Sequence, residues 1–258
     1  MKTMITDIER FSTEDGPGIR TVIILKGCPL HCAWCHNPEC ISYEKEELFY
    51  PEKCIGCGQC ENGCYSGARV SCGREMTPEE IRQAIIADKI YYGKEGGITI
   101  SGGEPLSHPD FVKRIISLCK EESISVGMET TLYRFDKEIL SQLDILMADL
   151  KMMDSKKHKE YTGIGNEKIL ENLLSADALN IPIIVRTPII PGVNDTVKNI
   201  QETAEFLRKC RNVIKYELLP YHPLGVSKAK ALGREQIRFR IPDKEKMEEL
   251  NQYADLQR

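Results

Sequence analysis

No apolar run in the chain approaches the roughly 20 residues needed to span a bilayer, so a membrane helix is not expected. Residues 1–11 carry Asp7, Glu9 and Arg10 and lack the apolar centre of a secretion signal. Positive charge is not in excess: 35 Lys and Arg against 39 Asp and Glu leave a formal net charge of −4. That balance argues against a broad phosphate-binding surface, and nucleic acid is not an expected partner. Solenoid repeats and low-complexity tracts are also missing. What remains is an ordinary globular composition, 41% hydrophobic and 29% charged over 258 residues, enough for one substantial core and a small appendage. Cysteine is abundant. Eleven thiols without a secretion signal point to a reducing cytoplasm and to metal binding, not to disulfides.

Nine of the eleven lie between positions 28 and 72. Cys28, Cys32 and Cys35 form a C-x3-C-x2-C run directly after the apolar stretch 21–26. Iron–sulfur cubanes are ordinarily held by four thiolates, so a compact three-thiolate run leaves one iron open to a ligand from outside the protein. Zinc sites use two separated C-x2-C pairs or Cys/His mixtures, which this run is not. Cys119 recurs with Phe111, Ile115 and Leu118 on one helical face, and Cys210 ends a helical stretch; both read as packed core thiols.

Further on, Cys54, Cys57, Cys60 and Cys64 give C-x2-C-x2-C-x3-C, the spacing of bacterial ferredoxins, with Gly56 and Gly58 to turn backbone amides toward a cluster. In two-cluster ferredoxins the fourth cysteine serves the other cluster, yet only one such run exists here, so Cys64, Cys72 and Cys40 all stand as candidates for the fourth ligand. Tyr65 occupies the position of the ferredoxin proline. Residues 39–75 therefore read as an auxiliary-cluster insertion, and 1–38 with 76–258 as the main domain.

Outside the insertion, helices and apolar strands alternate. Thr77, Pro78 and Glu80 form a capping box that starts a helix running to about residue 91. Strands are expected at 21–26, 97–101, 124–128, 145–150, 181–186 and 213–219, with helices opening at 107–109, 137, 167 and 196. Such alternation predicts parallel strands with right-handed crossovers, an incomplete (β/α)6 barrel. Barrels of this kind place chemistry at the C-terminal strand ends. The cysteine run, Gly102-Gly103-Glu104, Glu129-Thr130, Asp149 with Lys151, Arg186 and His222 each follow a strand in turn.

The three-thiolate spacing with Trp34 before its third cysteine resembles the radical S-adenosylmethionine (SAM) superfamily, and Gly102-Gly103-Glu104 resembles its GGE motif. Asp15-Gly16-Pro17-Gly18-Ile19-Arg20, Cys35-His36-Asn37-Pro38, Asp149-Leu150-Lys151 and Leu218-Leu219-Pro220-Tyr221-His222 narrow the resemblance to the glycyl radical enzyme activating enzymes, similar to the pyruvate formate-lyase activating enzyme along nearly all the chain outside the insertion. The resemblance implies a radical SAM barrel and a 4Fe-4S cluster whose open iron chelates SAM. It implies reductive SAM cleavage to a 5'-deoxyadenosyl radical, and hydrogen abstraction from a glycine α-carbon of a partner enzyme. It further implies SAM contacts at Trp34, Asn37, Glu104, Lys151, Arg186 and His222, with Gly102 and Gly103 letting backbone approach the ligand and Glu104 meeting its ammonium. Asp15 would meet the partner's glycine loop. A monovalent cation near the SAM carboxylate would sit at Glu129, Thr130, the Met147 backbone and Asp149, although Thr131 and Leu132 stand where a small polar residue and glycine are usual. A flavodoxin or ferredoxin is the implied electron donor. Two alternatives are weighed. Another radical SAM enzyme acting on a small molecule or peptide would not need the Asp15–Arg20 and Leu218–His222 segments. An electron carrier would explain both cysteine runs but not the strand-end residues.

Overall fold

The computed structural model describes residues 1–60 and 63–256. Among the described residues there are ten strands: β1 (Thr3–Ser12), β2 (Arg20–Leu25), β3 (Glu46–Phe49), β4 (Arg69–Cys72), β5 (Arg74–Met76), β6 (Gly97–Gly102), β7 (Ser125–Thr130), β8 (Ile145–Asp149), β9 (Ile183–Ile189) and β10 (Val213–Pro220). The helices are α1 (Pro78–Asp88), α2 (Pro109–Glu121), α3 (Lys137–Leu140), α4 (Ser155–Thr162), α5 (Glu167–Asp177), α6 (Val197–Leu207), α7 (Leu224–Ala231) and α8 (Lys244–Asn251). The six strands expected from sequence form a continuous parallel array, β2-β6-β7-β8-β9-β10, which is the incomplete barrel.

The sequence reading missed the edge. β1 pairs antiparallel with β2 (Ile5 opposite Leu25, Ser12 opposite Arg20), and β5 adds antiparallel to β1. Residues 1–11, with their scattered charges, gave only the absence of a signal. The helix expected from 137 is a single turn, and α4, α7 and α8 were not foreseen. The Thr77 capping box is present, with the Glu80 carboxylate accepting from the Thr77 amide at 2.7 Å. Within 39–75, β3 and β4 make a separate antiparallel hairpin before the chain rejoins the main sheet at β5.

Strand alternation divides the residues of the array between two faces. Ile98 and Ile100, Val126 and Met128, Leu146 and Ala148, and Ile183 and Val185 join one large apolar cluster with α2 residues Phe111, Ile115 and Cys119. Cys119 and Cys210 are buried in that cluster, as packed thiols should be. The intervening residues, Ser101, Glu129, Met147, Asp149 and Arg186, line the concave side. No helix among the described residues is long and apolar enough to cross a membrane.

The floor of the concave side is closed by Arg20, which is fully buried. Its Nε donates to Thr99 Oγ1 at 2.7 Å, and its terminal nitrogens donate to the carbonyls of Pro17 (3.0 Å) and Ile98 (2.5 Å). Burial lowers its pKa, and Asp144, Tyr92 and Asp15 only partly offset that. Thr99 Oγ1 in turn donates to the Asp15 carbonyl at 2.6 Å, so this guanidinium holds the loop that carries Asp15 inside the barrel. Arg20→Leu is expected to lower stability by roughly 2–4 kcal/mol by orphaning buried acceptors. Arg20→Lys should restore less than half of that, because one ammonium cannot serve acceptors spread around a planar fork. Urea denaturation of the anaerobic protein measures both.

Candidate active site

The chain between Cys28 and Cys35 has no regular secondary structure, so its path is fixed by hydrogen bonds from elsewhere. On one side the Cys28 amide donates to the Ile41 carbonyl (3.0 Å) and the Gly27 amide to Cys40 (2.8 Å). On a second, the amides of His31 and Ala33 donate to the carbonyls of Thr162 (2.9 Å) and Tyr161 (2.8 Å) at the end of α4. On a third, Gln236 Nε2 donates to the Cys35 carbonyl at 2.9 Å, and Gly225 at the start of α7 lies so close that a Cβ there would sit 2.0 Å from the same oxygen.

Cys28, Cys32 and Cys35 stand half-buried around one cavity of about 330 Å³. Burial pushes the Cys28 thiol up to about 12 and raises Cys32 and Cys35 as well, so the thiolates need a strongly cationic group to form. Among the described residues no trio of His, Cys, Asp or Glu converges on a single ion. Three thiols spaced around a shared cavity suit a multi-atom iron–sulfur cluster better than a lone zinc ion. Tyr221 lines the same cavity, and its buried hydroxyl has no partner among the described residues.

The expectations for the GGE segment need correction. A Cβ on Gly102 would meet the Leu25 carbonyl at 2.3 Å, and one on Gly103 would meet the Gly27 carbonyl at 2.4 Å. Glycine is required there by the neighbouring β2 backbone, and the cavity is lined by what remains of these residues. Glu104 does not line the cavity: it is wholly buried. Its carboxylate accepts from Thr130 Oγ1 (2.6 Å), from the Thr131 hydroxyl (2.6 Å) and amide (3.0 Å), and from the Leu106 amide (3.1 Å). It clamps the loop after β7 and has no oxygen aimed at a ligand ammonium. Burial raises its pKa, although these four donors pull the other way. In the clamped loop Leu132 takes φ 55°, the left-handed conformation that glycine ordinarily supplies, and its side chain is buried in the core. The sequence departure at this position therefore keeps a glycine-like backbone.

Asp15, Trp34, Asn37, Glu129, Thr130, Asp149, Lys151, Arg186 and His222 all line the cavity. Lys151 Nζ donates to Asp149 at 2.8 Å; burial pulls its pKa down, but Asp149 and Cys32 outweigh that and raise it. Arg186 pairs with Glu129, with Glu217 at 3.0 Å, and donates to the Glu14 carbonyl at 2.8 Å. Ser101 Oγ donates to the other oxygen of Glu129 at 2.5 Å. Burial, followed by the nearby Asp15, pushes Glu129 up to about 7, with Arg186 and Ser101 acting against the shift and Asp149 with it. Ser12 Oγ donates to the Asp15 carboxylate. His222 packs edge-on to His36 at 4.3 Å between centroids, and burial with His222 and Lys228 lowers His36 to about 4. Trp34 packs against Tyr161 (6.0 Å) and Phe239 (6.3 Å). Asn37 Oδ1 accepts from Lys228 at 2.8 Å.

Cys54, Cys57, Cys60 and Cys64 share a second, much smaller pocket formed by the insertion alone. Of the three candidates for the fourth thiol there, only Cys64 is in that pocket. Cys72 is buried beside Leu48 and Ala231, and Cys40 is buried against Thr6 with its Sγ 3.4 Å from Thr6 Oγ1. Hydrogen bonds from the Ser66 hydroxyl and the Arg69 amide lower the Cys64 thiol to about 7. Sequence reasoning missed Gly225, Gln236, Tyr161 and Glu217, which hold the site without carrying a motif.

A family model of the radical SAM superfamily matches residues 22–207. An indoleacetate decarboxylase activating enzyme of Tractidigestivibacter scatoligenes is 36% identical over 276 residues, covering 90% of this chain and 87% of the relative. A benzylsuccinate synthase activating enzyme of Thauera aromatica is 35% identical over 271 residues, covering 90% and 82%. Among solved structures, a domain of pyruvate-formate lyase-activating enzyme from Bacteroides vulgatus is 32% identical with a TM-score of 0.52, covering 62% of this chain and 92% of that one. A radical SAM methyltransferase from Sphaerobacter thermophilus, 16% identical with a TM-score of 0.58 over 98% of this chain and 74% of that one, shares the fold. With the three-thiol cavity at the strand ends of an open barrel, these likenesses show that the chain belongs to the radical SAM superfamily and, within it, to the glycyl radical enzyme activating enzymes.

Proposed function

We propose that this chain activates a partner glycyl radical enzyme by cleaving SAM reductively and removing one hydrogen atom from a glycine α-carbon of that partner. The observation that carries this is the single cavity in which three motif thiols meet Asp15, Lys151, Arg186 and His222, contributed by well-separated parts of the chain. A 4Fe-4S cluster held by Cys28, Cys32 and Cys35 supplies, when bound, the electron that breaks the carbon–sulfur bond of SAM. Lys151 and Arg186 would orient the SAM carboxylate, His222 would contact its ribose or adenine, and backbone of the Gly102–Gly103 turn would receive its amino group. Asp15, held by Ser12 and by the carbonyl contact to Thr99, would meet the glycine loop of the partner. A closed, dry cavity keeps a reactive carbon radical on its intended target.

Cys54, Cys57, Cys60 and Cys64 would hold one auxiliary 4Fe-4S cluster, making 39–75 a ferredoxin-like insertion in the barrel formed by the rest of the chain. A flavodoxin or ferredoxin would donate the electron, and a reducing cytoplasm is the compartment in which thiols in such numbers serve as cluster ligands. Cys32→Ala is expected to abolish 5'-deoxyadenosine formation. Cys57→Ser should lose the iron of one cluster while keeping the SAM-dependent spectral change of the other; loss of essentially all iron from either single variant would defeat the two-cluster reading. The decisive experiment is anaerobic electron paramagnetic resonance of the reduced protein with SAM and each glycyl radical enzyme of the same genome. A glycyl doublet with one of them is the expected result. SAM cleavage with no doublet from any of them would move the substrate to a small molecule or peptide.

A monovalent cation bound by Glu129, Asp149, Thr130 and the Met147 carbonyl would offset the burial and the Asp15 repulsion that together lift Glu129. The sign follows from that shift. A carboxyl raised from 4.5 to about 7 contributes to stability below 4.5, and that contribution is lost as pH rises through about 7. Binding of sodium, which favours the ionised carboxylate, should therefore strengthen between pH 6 and 8, by at most about tenfold per pH unit. Thermal melts of the SAM-free protein in sodium and in choline salts measure this, and Glu129→Gln should flatten the pH dependence.

A further inference from the structure

After α7 the chain passes from Leu232 to Asp243 without helix or strand, and among the described residues no backbone hydrogen bond reaches 235–242. Two side chains tie this segment to the cluster loop: Gln236, on the Cys35 carbonyl, and Phe239, whose ring packs on Trp34 at 6.3 Å and on Tyr221 at 5.8 Å. Between and beyond them, residues 237, 238, 240 and 241 are exposed, and Pro242 turns the chain back inward. Ile237 is 55% exposed and Ile241 62%, both high for isoleucine, and Arg238 and Arg240 are exposed beside them. Neither arginine, nor Lys230 on α7, has an ion pair among the described residues, in a chain whose formal net charge is −4. The nearby Lys228 and Arg234, by contrast, are neutralised by Glu39 and Glu46. None of the residues 228–241 lines the SAM cavity.

We propose that this segment, in which the exposed Ile237 and Ile241 flank Arg238 and Arg240, is the docking site of an acidic one-electron donor protein. The inference rests on the reading that an external electron drives SAM cleavage. Uncompensated cations on a net acidic protein steer an acidic partner and repel copies of the chain itself. Exposed apolar residues interleaved with arginine have the composition of an interface centre. The unpaired extended backbone offers a further edge for contact. Position supplies the function: the Cα of Arg238 is within about 7.6 Å of that of Gln236, which touches a cluster ligand directly. The partner's glycine must instead enter the cavity lined by Asp15 and Arg186. In the transfer the donor is oxidised by one electron and the cluster is reduced by one; no proton or group moves.

The test uses reconstituted holoenzyme and flavodoxin as the probe. Binding of oxidised flavodoxin, titrated at low and high salt, is read independently of activity. The double variant Arg238→Glu/Arg240→Glu should weaken it about tenfold or more and reduce its salt dependence, with Arg238→Lys/Arg240→Lys close to wild type. The flavodoxin-driven rate of 5'-deoxyadenosine formation should fall in step, while the dithionite-driven rate stays unchanged. Unaltered flavodoxin binding in the glutamate variant overturns the proposal. So does an equal fall with both reductants, which would mean a structural role, or an unchanged flavodoxin rate with a reduced glycyl radical yield, which would assign the face to the partner enzyme. Absence of dithionite-driven cleavage in the wild type would defeat the proposed function instead.

Discussion

The carbonyl of Cys35 and the amides of Gly27, Cys28, His31 and Ala33 decide whether this protein has an active site. A loop whose own backbone supplies only a turn, the Cys35 amide on the Cys32 carbonyl at 3.0 Å, holds three thiols in a fixed arrangement only if the rest of its backbone is satisfied from outside. Here the partners come from residues 40–41, from 161–162 and from 225–236. The bond from Gln236 to Cys35 spans 201 residues of sequence. The loop's hydrogen bonding is therefore complete only when the C-terminal segment has docked on it. Thiols raised by burial and held apart in this way stay protonated until iron arrives, and metal loading is thereby coupled to a finished fold.

Charge is the second constraint, and it follows from the pleat. Because alternate residues of each strand face opposite sides, the same strands that give Ile98, Met128 and Ala148 to the core give Ser101, Glu129 and Asp149 to the cavity. Asp15, Glu129 and Asp149 then gather in the cavity with Lys151 and Arg186, while Glu217 is shared between Arg186 and Lys215. Burial first, and then the neighbouring Asp15, raise the Glu129 carboxyl against the pull of Arg186. SAM carries a sulfonium and an ammonium against one carboxylate, so its net positive charge matches what the protein lacks there. Arg186 reaches Glu129, Glu217 and the Glu14 carbonyl with one N–H from each of its three nitrogens, which links the acidic side of the cavity to the loop bearing Asp15 and leaves further N–H donors on its terminal nitrogens.

The parallel strands were legible because they are buried on both sides or alternate cleanly, and because the polar residues at their ends break the apolar pattern. The antiparallel edge was not: in β1 Asp7 and Glu9 interrupt the pattern, and nothing local distinguishes it from a polar leader. The thiols and the cavity-lining charges carry chemistry in their side chains and were found. Gln236 and Gly225 act through backbone atoms on distant partners, a role that leaves no spacing to read. Glu104 shows the opposite failure. Its motif marked it as important, yet only the structure reveals that both oxygens face inward onto Thr130, Thr131 and Leu106, so that its importance is to the shape of a loop.

The two cysteine loops differ in how they depend on the rest of the chain. The pocket of Cys54, Cys57, Cys60 and Cys64 draws every lining residue from positions 49–69, and three of its thiols are exposed. It is a local construction, held to the barrel through its hairpin base: Leu48 and Cys72 pack on Ala231, and Glu46 pairs with both the buried Lys26 and Arg234. Because loop-closure entropy grows only slowly with length, such a module can be inserted between two barrel elements at little thermodynamic cost, provided its base is fastened. Glu46 is that fastening, and its two cations lie on the strand before the first cysteine loop and on the segment that seals it. The insertion is therefore autonomous at its tip and bound at its root to the same residues that shape the catalytic loop.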